Sequence, residues 1–410
     1  MDKLLIVGGG IGGLAAGLAC ARSGAQAALF ERASEFSEVG AGVQLGPNVV
    51  RILRAWGLKQ PLAEVAVFPE RLQIRSASTG EELGMLRLGD GFAQRYGAPY
   101  VTIQRADLHQ LLLQALRTWS QVEINLNSRV LGFTQSESGI SLQLGENRQV
   151  QGKLLLGADG GWSAIRQQLL HDGTPNPTGH LAYRAMVTQS ELPEALRSGQ
   201  VTVWLGPRMH VVQYPVHAGE RLNVVAIVHG QVQGDMSHWD HSANAADLQR
   251  AMAATCAPLN DLIQAVGQWR LWPLSIRRPM RGAHEHALGR VALLGDAAHP
   301  MVPYLAQGAG MAIEDAFVLA KVLSDGGIFA RTSRGLQRAP DVPQLLQAYA
   351  RLRWQRNAQV QARAIQNGRI FHATGPLRWA RNAAMRVMGE NLLDMPWLYG
   401  GIDTTASSST

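Results

Sequence analysis

The 410-residue sequence contains two cysteines, Cys20 and Cys256, and neither belongs to a CxxC pair. It therefore lacks the framework of a small disulfide-rich secreted domain, and we expect a reducing, cytoplasmic compartment. Charged residues are also few, at 17%, and aromatic residues make up 6%, whereas 46% of the residues are hydrophobic. This apolar content excludes an intrinsically disordered chain, and the length predicts two or three domains.

Residues 4–21 carry no charge, and the stretch is long enough to suggest a signal peptide or a membrane span. Six glycines interrupt it, and Met1-Asp2-Lys3 is a poor positively charged leader. We interpret the stretch as a buried strand, a glycine turn and a helix. No integral membrane association is expected.

Lysine is missing from residues 331–410, which contain 11 arginines and four acidic residues, whereas residues 1–330 contain 27 basic and 27 acidic residues. A basic tail can bind nucleic acid or an anionic membrane. Here the arginines alternate with apolar residues at helical spacing, which indicates a solvated basic helix face, and we expect the end at Thr404–Thr410 to fray. No RNP-like aromatic motif or zinc framework is present, so we predict no nucleic-acid binding. The arginines are Arg351, Arg353, Arg356, Arg363, Arg369, Arg378, Arg381 and Arg386.

A glycine-rich turn follows the first apolar run. The turn has the GxGxxG spacing, stands between a strand and a helix of small residues, and is followed by a second apolar run that ends in an acid. Glycines at these positions let backbone amides approach a pyrophosphate, and the acid can accept hydrogen bonds from ribose hydroxyls. The pattern predicts a dinucleotide-binding βαβ unit for NAD or FAD. Its members are Gly8, Gly10, Gly13 and Glu31.

Two later apolar runs end in the same way. The run at 154–157 leads into Asp159-Gly160, and the run at 291–294 leads into Gly295-Asp296. A second glycine turn then opens a helix at Gly308-Ala309-Gly310. These features provide amides for an electron-accepting or anionic group and a carboxylate for a further hydroxyl.

Together these motifs resemble the single-component FAD-dependent aromatic hydroxylases over about residues 2–365. The resemblance implies an α/β fold in three parts, with FAD as the cofactor and NADH or NADPH and O₂ as co-substrates. A Rossmann-like FAD-binding domain is expected over 1–75, 98–180 and 275–330, and a mostly β substrate domain over 76–97 and 181–274. A helical C-terminal region is expected over 331–410.

The resemblance also implies the residues that hold the cofactor. The segment 40–48 looks like the one that runs beside the flavin, and the stretch at 103–108 looks like the one whose arginine contacts FAD. The Asp-Gly motif is implicated in both FAD and NAD(P)H binding in this family, so no second nicotinamide-binding unit is expected. The implied cofactor residues are Gly8, Gly10, Gly13, Glu31, Arg32, Val43, Gln44, Arg105, Val130, Asp159, Asp296, Gly308, Ala309 and Gly310.

Alternating strands at 201–205, 210–216 and 222–229 predict an antiparallel sheet with one face toward a pocket. His210 and Tyr214 are four apart and so share a strand face. They look like the His-x-x-x-Tyr-Pro segment of the 3-hydroxybenzoate 6-hydroxylases and 6-hydroxynicotinate 3-monooxygenases, where both side chains face the substrate. Salicylate 1-monooxygenases have Phe at the position of Tyr214.

The sequence departs from its relatives at Pro303, where the 3-hydroxybenzoate enzymes have a catalytic Gln, and at Tyr304, where the hydroxynicotinate enzymes have His.

The function implied is hydroxylation of a phenolic aromatic acid, with 3-hydroxybenzoate to gentisate as the first choice. Salicylate and 6-hydroxynicotinate are the alternatives, followed by a flavin dehydrogenase or oxidase or a flavin-bound binding protein. His210 would act as base or relay for the phenolic proton, and Tyr214 would orient it or pass the proton on. We expect Pro303 and Tyr304 to line the substrate site. Whether the protein forms a homodimer is left open.

Other chemistries find little support in the sequence. Ser163 lacks the second glycine of a hydrolase nucleophile elbow. The pairs His284/His286 and His238/His241 have no carboxylate partner or HExxH frame, so we expect no metal. His299 is interpreted as structural.

Overall fold

The computed structural model describes residues 3–36, 41–145, 147–230, 241–242, 245–329 and 340–403. Some features named above lie outside the described residues: Met1 and Asp2, Gly40 at the start of the flavin segment, His238 of one histidine pair, residues 331–339 of the expected helical region, and the terminus Thr404–Thr410.

Strands build four sheets within the described residues. Their bounds are β1 (Leu4–Val7), β2 (Ala27–Phe30), β3 (Gly42–Leu45), β4 (Arg71–Ser76), β5 (Glu82–Arg87), β6 (Val101–Gln104), β7 (Val122–Asn125), β8 (Val130–Gln135), β9 (Ile140–Leu144), β10 (Gln149–Gly152), β11 (Leu154–Gly157), β12 (Asn176–Thr188), β13 (Val201–Gly206), β14 (Met209–Val216), β15 (Arg221–His229), β16 (His241–Ser242), β17 (Arg270–Ile276), β18 (Ala287–Leu288) and β19 (Val291–Leu293).

Helices cover these sheets and form the C-terminal part of the described chain. Their bounds are α1 (Ile11–Arg22), α2 (Pro47–Ala55), α3 (Lys59–Val65), α4 (Asp90–Tyr96), α5 (Arg105–Arg117), α6 (Ala164–Leu170), α7 (Ala245–Met252), α8 (Ala257–Ala265), α9 (Gly308–Asp325), α10 (Val342–Phe371), α11 (Gly375–Met388), α12 (Glu390–Leu393) and α13 (Pro396–Tyr399).

The three apolar runs that end in glycine and acid motifs lie side by side in one sheet of order β18-β19-β11-β1-β2-β7. Its strands are parallel except for β18. All four residues of β1 are buried, because Leu4 and Ile6 pack toward α1, α5 and α9 whereas Leu5 and Val7 pack toward the small sheet β10-β9-β8. Burial on both faces explains why these strands are continuously apolar. The carboxyl ends of the strands bring the three motifs to one edge.

The uncharged stretch 4–21 folds as β1, a glycine turn and most of α1. Helix α1 buries ten of its 12 residues, since small side chains allow it to pack closely on the sheet. Within the described ranges, no helix has the length and apolarity needed to cross a bilayer.

The second large sheet has the order β16-β17-β12-β15-β14-β13-β4-β5. Neighbouring strands are antiparallel, except that β13 and β4 run parallel. One face packs on α7 and α8, and the other packs against α9, α10 and α13. Strand β4 lies in this sheet, although the expected boundary assigned residues up to 75 to the FAD-binding part. The crossover therefore comes near residue 70, and the division into domains stays a prediction.

The C-terminal helices differ in one respect from the sequence-based interpretation. The spacing of apolar residues predicts a helix over residues 340–366, and α10 covers most of this range. We expected the arginines of this region to lie on a solvated face, but some of them are buried. Leu352 is 63% exposed, whereas Arg353 is 1% exposed. Arg356 and Arg381 also carry side-chain hydrogen bonds into the protein. The expectation of a uniformly solvated basic face is therefore wrong at these three arginines.

Candidate active site

The first glycine turn is shaped by close backbone contacts. Gly8 adopts a φ of +105°, and a Cβ at Gly8 would overlap the carbonyl of Ala158. A Cβ at Gly13 would overlap the carbonyl oxygen of Gly8. In contrast, a Cβ at Gly10 would meet nothing within 4 Å, and Gly10 is the residue before α1. Open space therefore lies in front of the positive end of α1, where a pyrophosphate would sit.

Glu31 directly follows β2 and lies beside this turn. Its carboxylate accepts hydrogen bonds from the backbone N–H groups of Gly9, at 2.7 Å, and Ala33, at 2.9 Å. Arg32 is exposed, and Val130 opens β8 two residues after Ser128, whose N–H donates to the Glu31 carbonyl. These three predicted residues thus lie around the end of β2, and the two amides fix the carboxylate of Glu31 at the turn.

Asp296 lies three residues after the end of β19 and near Gly308 at the start of α9, and we call the open space beside these two residues the cofactor groove. It is exposed, although Gly295 and Ala297 on either side are buried. The surrounding protein raises the pKa of Asp296 by desolvation, while His299 and Arg105 act in the opposite direction. A Cβ at Gly308 would meet only the Asp296 Oδ1, at 3.7 Å. The carboxylate and the start of α9 therefore face the same open groove, with Ala309 and Gly310 following in the first turn of α9.

Asp159 has a local role in the structure. Ser163 Oγ donates to its Oδ1 at 2.5 Å, and the N–H of Ile165 donates to its Oδ2 at 3.2 Å. Burial raises the pKa of Asp159, and these hydrogen bonds oppose the rise. Gly160 next to it has a φ of +82° and open space at its Cβ position. The Asp-Gly motif therefore orders the start of α6 and leaves a gap beside Gly160.

Strand β3 connects the cofactor groove to the second large sheet, which is called the large mixed sheet below because β13 and β4 run parallel in it. It pairs with β6, which is followed directly by Arg105 at the start of α5. Gln44 Oε1 accepts a hydrogen bond from Tyr100 Oη at 2.6 Å. The N–H of Gly42 donates to Asn223 Oδ1 at 2.8 Å, and a Cβ at Gly42 would lie 2.5 Å from the Tyr214 ring. The predicted flavin segment, with Val43 between these two residues, thus packs directly on the sheet that carries Tyr214.

The residues around the two glycine turns fit FAD. Gly10 and Gly308 leave room for a ligand at two helix starts, and an exposed carboxylate, Asp296, stands between buried neighbours. Glu31 would hold the ribose, the Gly8–Gly13 turn the pyrophosphate, and Asp296 a ribityl hydroxyl.

His210 and Tyr214 do share a face of β14. Val212 and Val216 on this face pack toward α10 and α13, whereas Met209 and Val211 pack toward α7 and α8. His210 is 1% exposed, and its ring lies edge-on to Tyr304 with centroids 5.1 Å apart. Pro303, in contrast, is exposed. The structure therefore brings His210 and Tyr304 together on the face that looks toward the cofactor side.

Three further histidines surround His210. His210 Nδ1 lies 2.7 Å from His372 Nε2, and His372 Nδ1 lies 3.1 Å from His229 Nε2. His180 Nδ1 lies 2.6 Å from Tyr304 Oη. The ring that orients His210 is therefore His372, at the end of α10, where the sequence suggested Tyr214.

Burial keeps these imidazoles neutral. Desolvation, followed by repulsion from His180, lowers the pKa of His210 to about 3. Desolvation and then His210 lower the pKa of His372 to about 2, and desolvation and then His229 lower that of His180 to about 4. At neutral pH each ring is therefore uncharged and has one nitrogen without a proton, so a ring can take up a proton only if its other proton is passed on.

Comparison with known proteins shows the family to which the chain belongs. A profile of the family described as FAD binding domain matches residues 2–364. The chain belongs to this family. At 35% identity over 399 residues it is similar to 3-hydroxybenzoate 6-hydroxylase of Polaromonas naphthalenivorans (strain CJ2), with 97% of this chain and 95% of the relative covered. It is 32% identical to 6-hydroxynicotinate 3-monooxygenase of Bordetella bronchiseptica (strain ATCC BAA-588 / NCTC 13252 / RB50), with 80% and 84% covered.

The fold of this FAD-binding family member is also similar to a solved salicylate hydroxylase substrate complex. The TM-score is 0.81 at 25% identity, and 98% of this chain and 96% of that chain are covered. The predicted class, an FAD-dependent aromatic hydroxylase of α/β fold that uses NAD(P)H and O₂, is confirmed.

Arg184 is a site residue that the sequence-based reasoning missed. It stands on β12, and its guanidinium carbon lies 4.7 Å from the centroid of the Trp272 ring. Its Nε is buried and has no hydrogen-bond partner within the described part of the chain. Desolvation lowers its pKa, Tyr214 raises it, and Arg105 lowers it. Arg184 is therefore close enough to the predicted substrate tyrosine and to the predicted cofactor arginine to interact electrostatically with both.

A buried charged cluster behind the cofactor groove was also missed. Arg353 Nη1 donates to Glu314 Oε2 at 2.9 Å, and Arg353 Nε donates to Asp315 Oδ1 at 2.7 Å. Asn48 Nδ2 donates to Glu314 Oε1 at 2.8 Å. Asp315 also accepts from the N–H of Gly295. The cluster thus fixes α10 to the segment beside the flavin and to the Gly-Asp turn.

The described residues contain two groups of three side chains with metal-ligand spacing. They are His180, His229 and His372, and His286, His299 and Asp315, each with one donor atom per residue within 4.8 Å of the others. Their atoms already contact protein partners, as in the 2.5 Å pair between His299 Nε2 and Asp315 Oδ2. We interpret both groups as hydrogen-bonded clusters, since Arg208 and Arg381 beside the first and Arg353 beside the second oppose a further cation.

Proposed function

We propose that this enzyme hydroxylates a phenolic aromatic acid, with 3-hydroxybenzoate as the substrate and gentisate as the product. The observation that carries the proposal is the neutral, buried His210 beside Tyr304, on the sheet face that looks toward the cofactor groove. The relative from Polaromonas naphthalenivorans bears the name 3-hydroxybenzoate 6-hydroxylase, which supports this choice. Bound FAD, once reduced by NAD(P)H, would provide the electrons that activate O₂, and the oxygen atom that enters the ring would come from O₂.

His210 prepares the substrate for that oxygen. A phenol with a pKa near 10 is a weak nucleophile, whereas its phenolate donates electron density to the ring carbons ortho and para to the oxygen. His210 uses Nδ1 for His372, so Nε2 is the ring nitrogen for the phenolic proton. Tyr304 packs edge-on against His210, and we place it beside the ring of the substrate.

Arg184 fits the carboxylate of the substrate. The side chain is partly buried, its Nε is buried without an acceptor within the described residues, and Tyr214 is near enough to affect its pKa. A buried guanidinium is stabilised by an anion that accepts its N–H groups. An aromatic acid would therefore place its carboxylate at Arg184 and its hydroxyl at His210, on the same sheet face.

A substrate panel tests the proposal. Purified holoenzyme is mixed with NADH or NADPH and with 3-hydroxybenzoate, salicylate or 6-hydroxynicotinate, and pyridine nucleotide, O₂ and product are measured together. We expect 3-hydroxybenzoate to stimulate oxidation of the nicotinamide and to yield gentisate in near-stoichiometric amount. Product from salicylate alone, or from 6-hydroxynicotinate alone, would move the assignment to that ring. Nicotinamide oxidation without any hydroxylated product would favour an oxidase.

A homodimer is part of the proposal as well. Helix α11 exposes Leu377, Trp379, Val387 and Met388, with fractions between 50% and 86%. Exposed apolar side chains on one helix commonly mark a protein contact. Light scattering of the purified enzyme and of Trp379→Asp should give twice the chain mass for the former and the chain mass for the latter. A reducing cytoplasm stays a prediction.

A further inference from the structure

Three imidazoles form a continuous line from the buried site to the surface. His210 is 1% exposed, His372 is 7% exposed, and His229 is exposed. The first nitrogen pair, His210 Nδ1 and His372 Nε2, is 2.7 Å apart, and the second, His372 Nδ1 and His229 Nε2, is 3.1 Å apart. Both distances are hydrogen-bond distances. His372 uses Nε2 for its contact with His210 and Nδ1 for its contact with His229, so each contact has its own nitrogen.

We propose that His372 and His229 form the path by which the phenolic proton travels from His210 to solvent. The proposal rests on the function proposed above, in which His210 takes that proton. It assigns a role to His372, which directly follows α10 and lies outside the substrate sheet.

Each of the three rings on this path gains one proton and loses one. The phenolic O–H bond breaks and a bond to His210 Nε2 forms, while the proton on His210 Nδ1 passes to His372 Nε2. The proton on His372 Nδ1 passes to His229 Nε2, and His229 releases its Nδ1 proton to water. Each ring again carries one proton, on the opposite nitrogen. The reverse shift returns a proton to the phenolate of the product and restores the starting tautomers.

The surroundings explain why the proton cannot simply remain on His210. Burial and the neighbouring His180 oppose a charged His210, and burial, His210, His180, His229 and Arg381 oppose a charged His372. Desolvation and then Arg208 lower the pKa of His229 and so oppose a charge on it. A shift along the line leaves the two buried rings neutral, because one proton leaves as another enters. A fixed imidazolium in the same place would be unstable.

His180 does not belong to the line, although its ring centroid is 4.5 Å from that of His229 and 4.8 Å from that of His372. Its Nδ1 is held by Tyr304 Oη at 2.6 Å. His180 therefore packs beside the path and fixes Tyr304, which in turn packs on His210.

The test measures proton release on substrate binding. Oxidised holoenzyme in weak buffer is mixed with 3-hydroxybenzoate in a stopped-flow instrument, with a pH indicator and without a nicotinamide, so that no turnover occurs. Wild-type enzyme should release close to one proton. His372→Gln, whose amide can hydrogen-bond but cannot pass a proton, should release it at least tenfold more slowly at unchanged FAD content. Added imidazole should accelerate His372→Ala, because it can enter the space that the side chain leaves.

The controls separate a relay from a structural role. His229→Gln changes an exposed side chain and should also slow release, by less, since water can replace it. His284→Gln, at an exposed histidine outside the line, should match wild type. Release from His372→Gln and His229→Gln at the wild-type rate would overturn the relay and leave His210 as base. No release from wild type, with gentisate still formed, would overturn the relay together with the role of His210.

Discussion

Arg353 and Asp315 form a fully buried ion pair, with Arg353 Nε donating to Asp315 Oδ1 at 2.7 Å and side chains exposed by 1% and 0%. Asp315 also accepts from His299 Nε2 at 2.5 Å and from the N–H of Gly295 at 3.1 Å. Despite desolvation, which raises it, the pKa of Asp315 is lowered well below its usual range by His299 and Arg353. The long helix α10 is thereby connected to the turn that presents Asp296.

Removal of the arginine should therefore destabilise the fold. Arg353→Met leaves Glu314 and Asp315 buried without their shared cation, and losing one partner of a buried pair costs about 3–5 kcal/mol. Urea unfolding of the holoenzyme measures the loss. Arg351→Met, at an exposed position of the same helix, should stay within about 0.5 kcal/mol of wild type. Equal stability of both variants would mean that the ion pair contributes nothing net.

FAD affinity should depend on two carboxylates at opposite ends of the cofactor groove. Glu31→Ala and Asp296→Ala should each weaken FAD binding by about 1–3 kcal/mol, the cost of leaving a buried polar partner unpaired. Fluorescence titration of the apoenzyme with FAD gives the affinities. Glu35→Ala and Asp325→Ala, both exposed, are the matched controls. Wild-type affinity in the two groove variants would contradict the cofactor assignment.

His210→Ala should separate flavin reduction from hydroxylation. FAD binding should persist, because His210 lies on the large mixed sheet and not in the glycine turns, and reduction by NADH should survive at least in part. Product formation should fall by about 10²–10⁴-fold, the range for a positioned acid–base group. The share of NADH consumed without product should rise. Tyr214→Phe should show the same pattern more mildly, since it keeps the ring against Gly42. Wild-type coupling in His210→Ala would make His210 a structural residue.

Arg184→Gln should weaken binding of the acid specifically. A hydrogen bond to a charged group contributes about 1.5–3 kcal/mol, so KM for the aromatic acid should rise about 10- to 100-fold. The neutral amide of the same acid, tested as a ligand of the oxidised enzyme, should bind wild type and variant alike. Arg221→Gln, exposed on the neighbouring strand β15, should leave KM unchanged. An equal KM for acid in Arg184→Gln and wild type would place the carboxylate elsewhere.

Local patterns account for much of this structure. The strands at 201–206, 209–216 and 221–229 follow from alternation of apolar residues, and the cofactor turns follow from glycines beside apolar runs. His210 could be placed on a strand face for the same reason. Its partner could not, because His372 is 162 positions away at the end of a helix and no spacing connects the two.

Buried charges escaped prediction for a related reason. Arginine in a basic helix is usually solvated, and nothing in the spacing distinguishes Arg353 from Arg351. The difference arises only when α10 packs on α9 and brings Arg353 to Glu314 and Asp315. Arg184 is a similar case, since its isolation depends on which side chains the sheet places around it.

The buried histidines predict how stability depends on pH. The pKa of His286 is lowered to about 4, that of His210 to about 3 and that of His372 to about 2, in each case chiefly by burial. In the unfolded chain the same side chains titrate near 6.5. Below that pH the unfolded state binds more protons than the folded state, so stability falls as pH falls, by up to about 1.4 kcal/mol per pH unit for each such histidine.

His372→Gln isolates one of these contributions. The variant has lost a group that favours the unfolded state in acid, so its stability should fall less steeply than that of wild type between pH 6 and pH 4.5, by up to about 1.4 kcal/mol per pH unit. Its stability relative to wild type should therefore improve as pH decreases. Urea unfolding with saturating FAD at several pH values measures both slopes. His284→Gln, at an exposed histidine, should keep the wild-type slope. An unchanged slope in His372→Gln would mean that His372 takes up its proton in the folded protein as readily as in the unfolded chain.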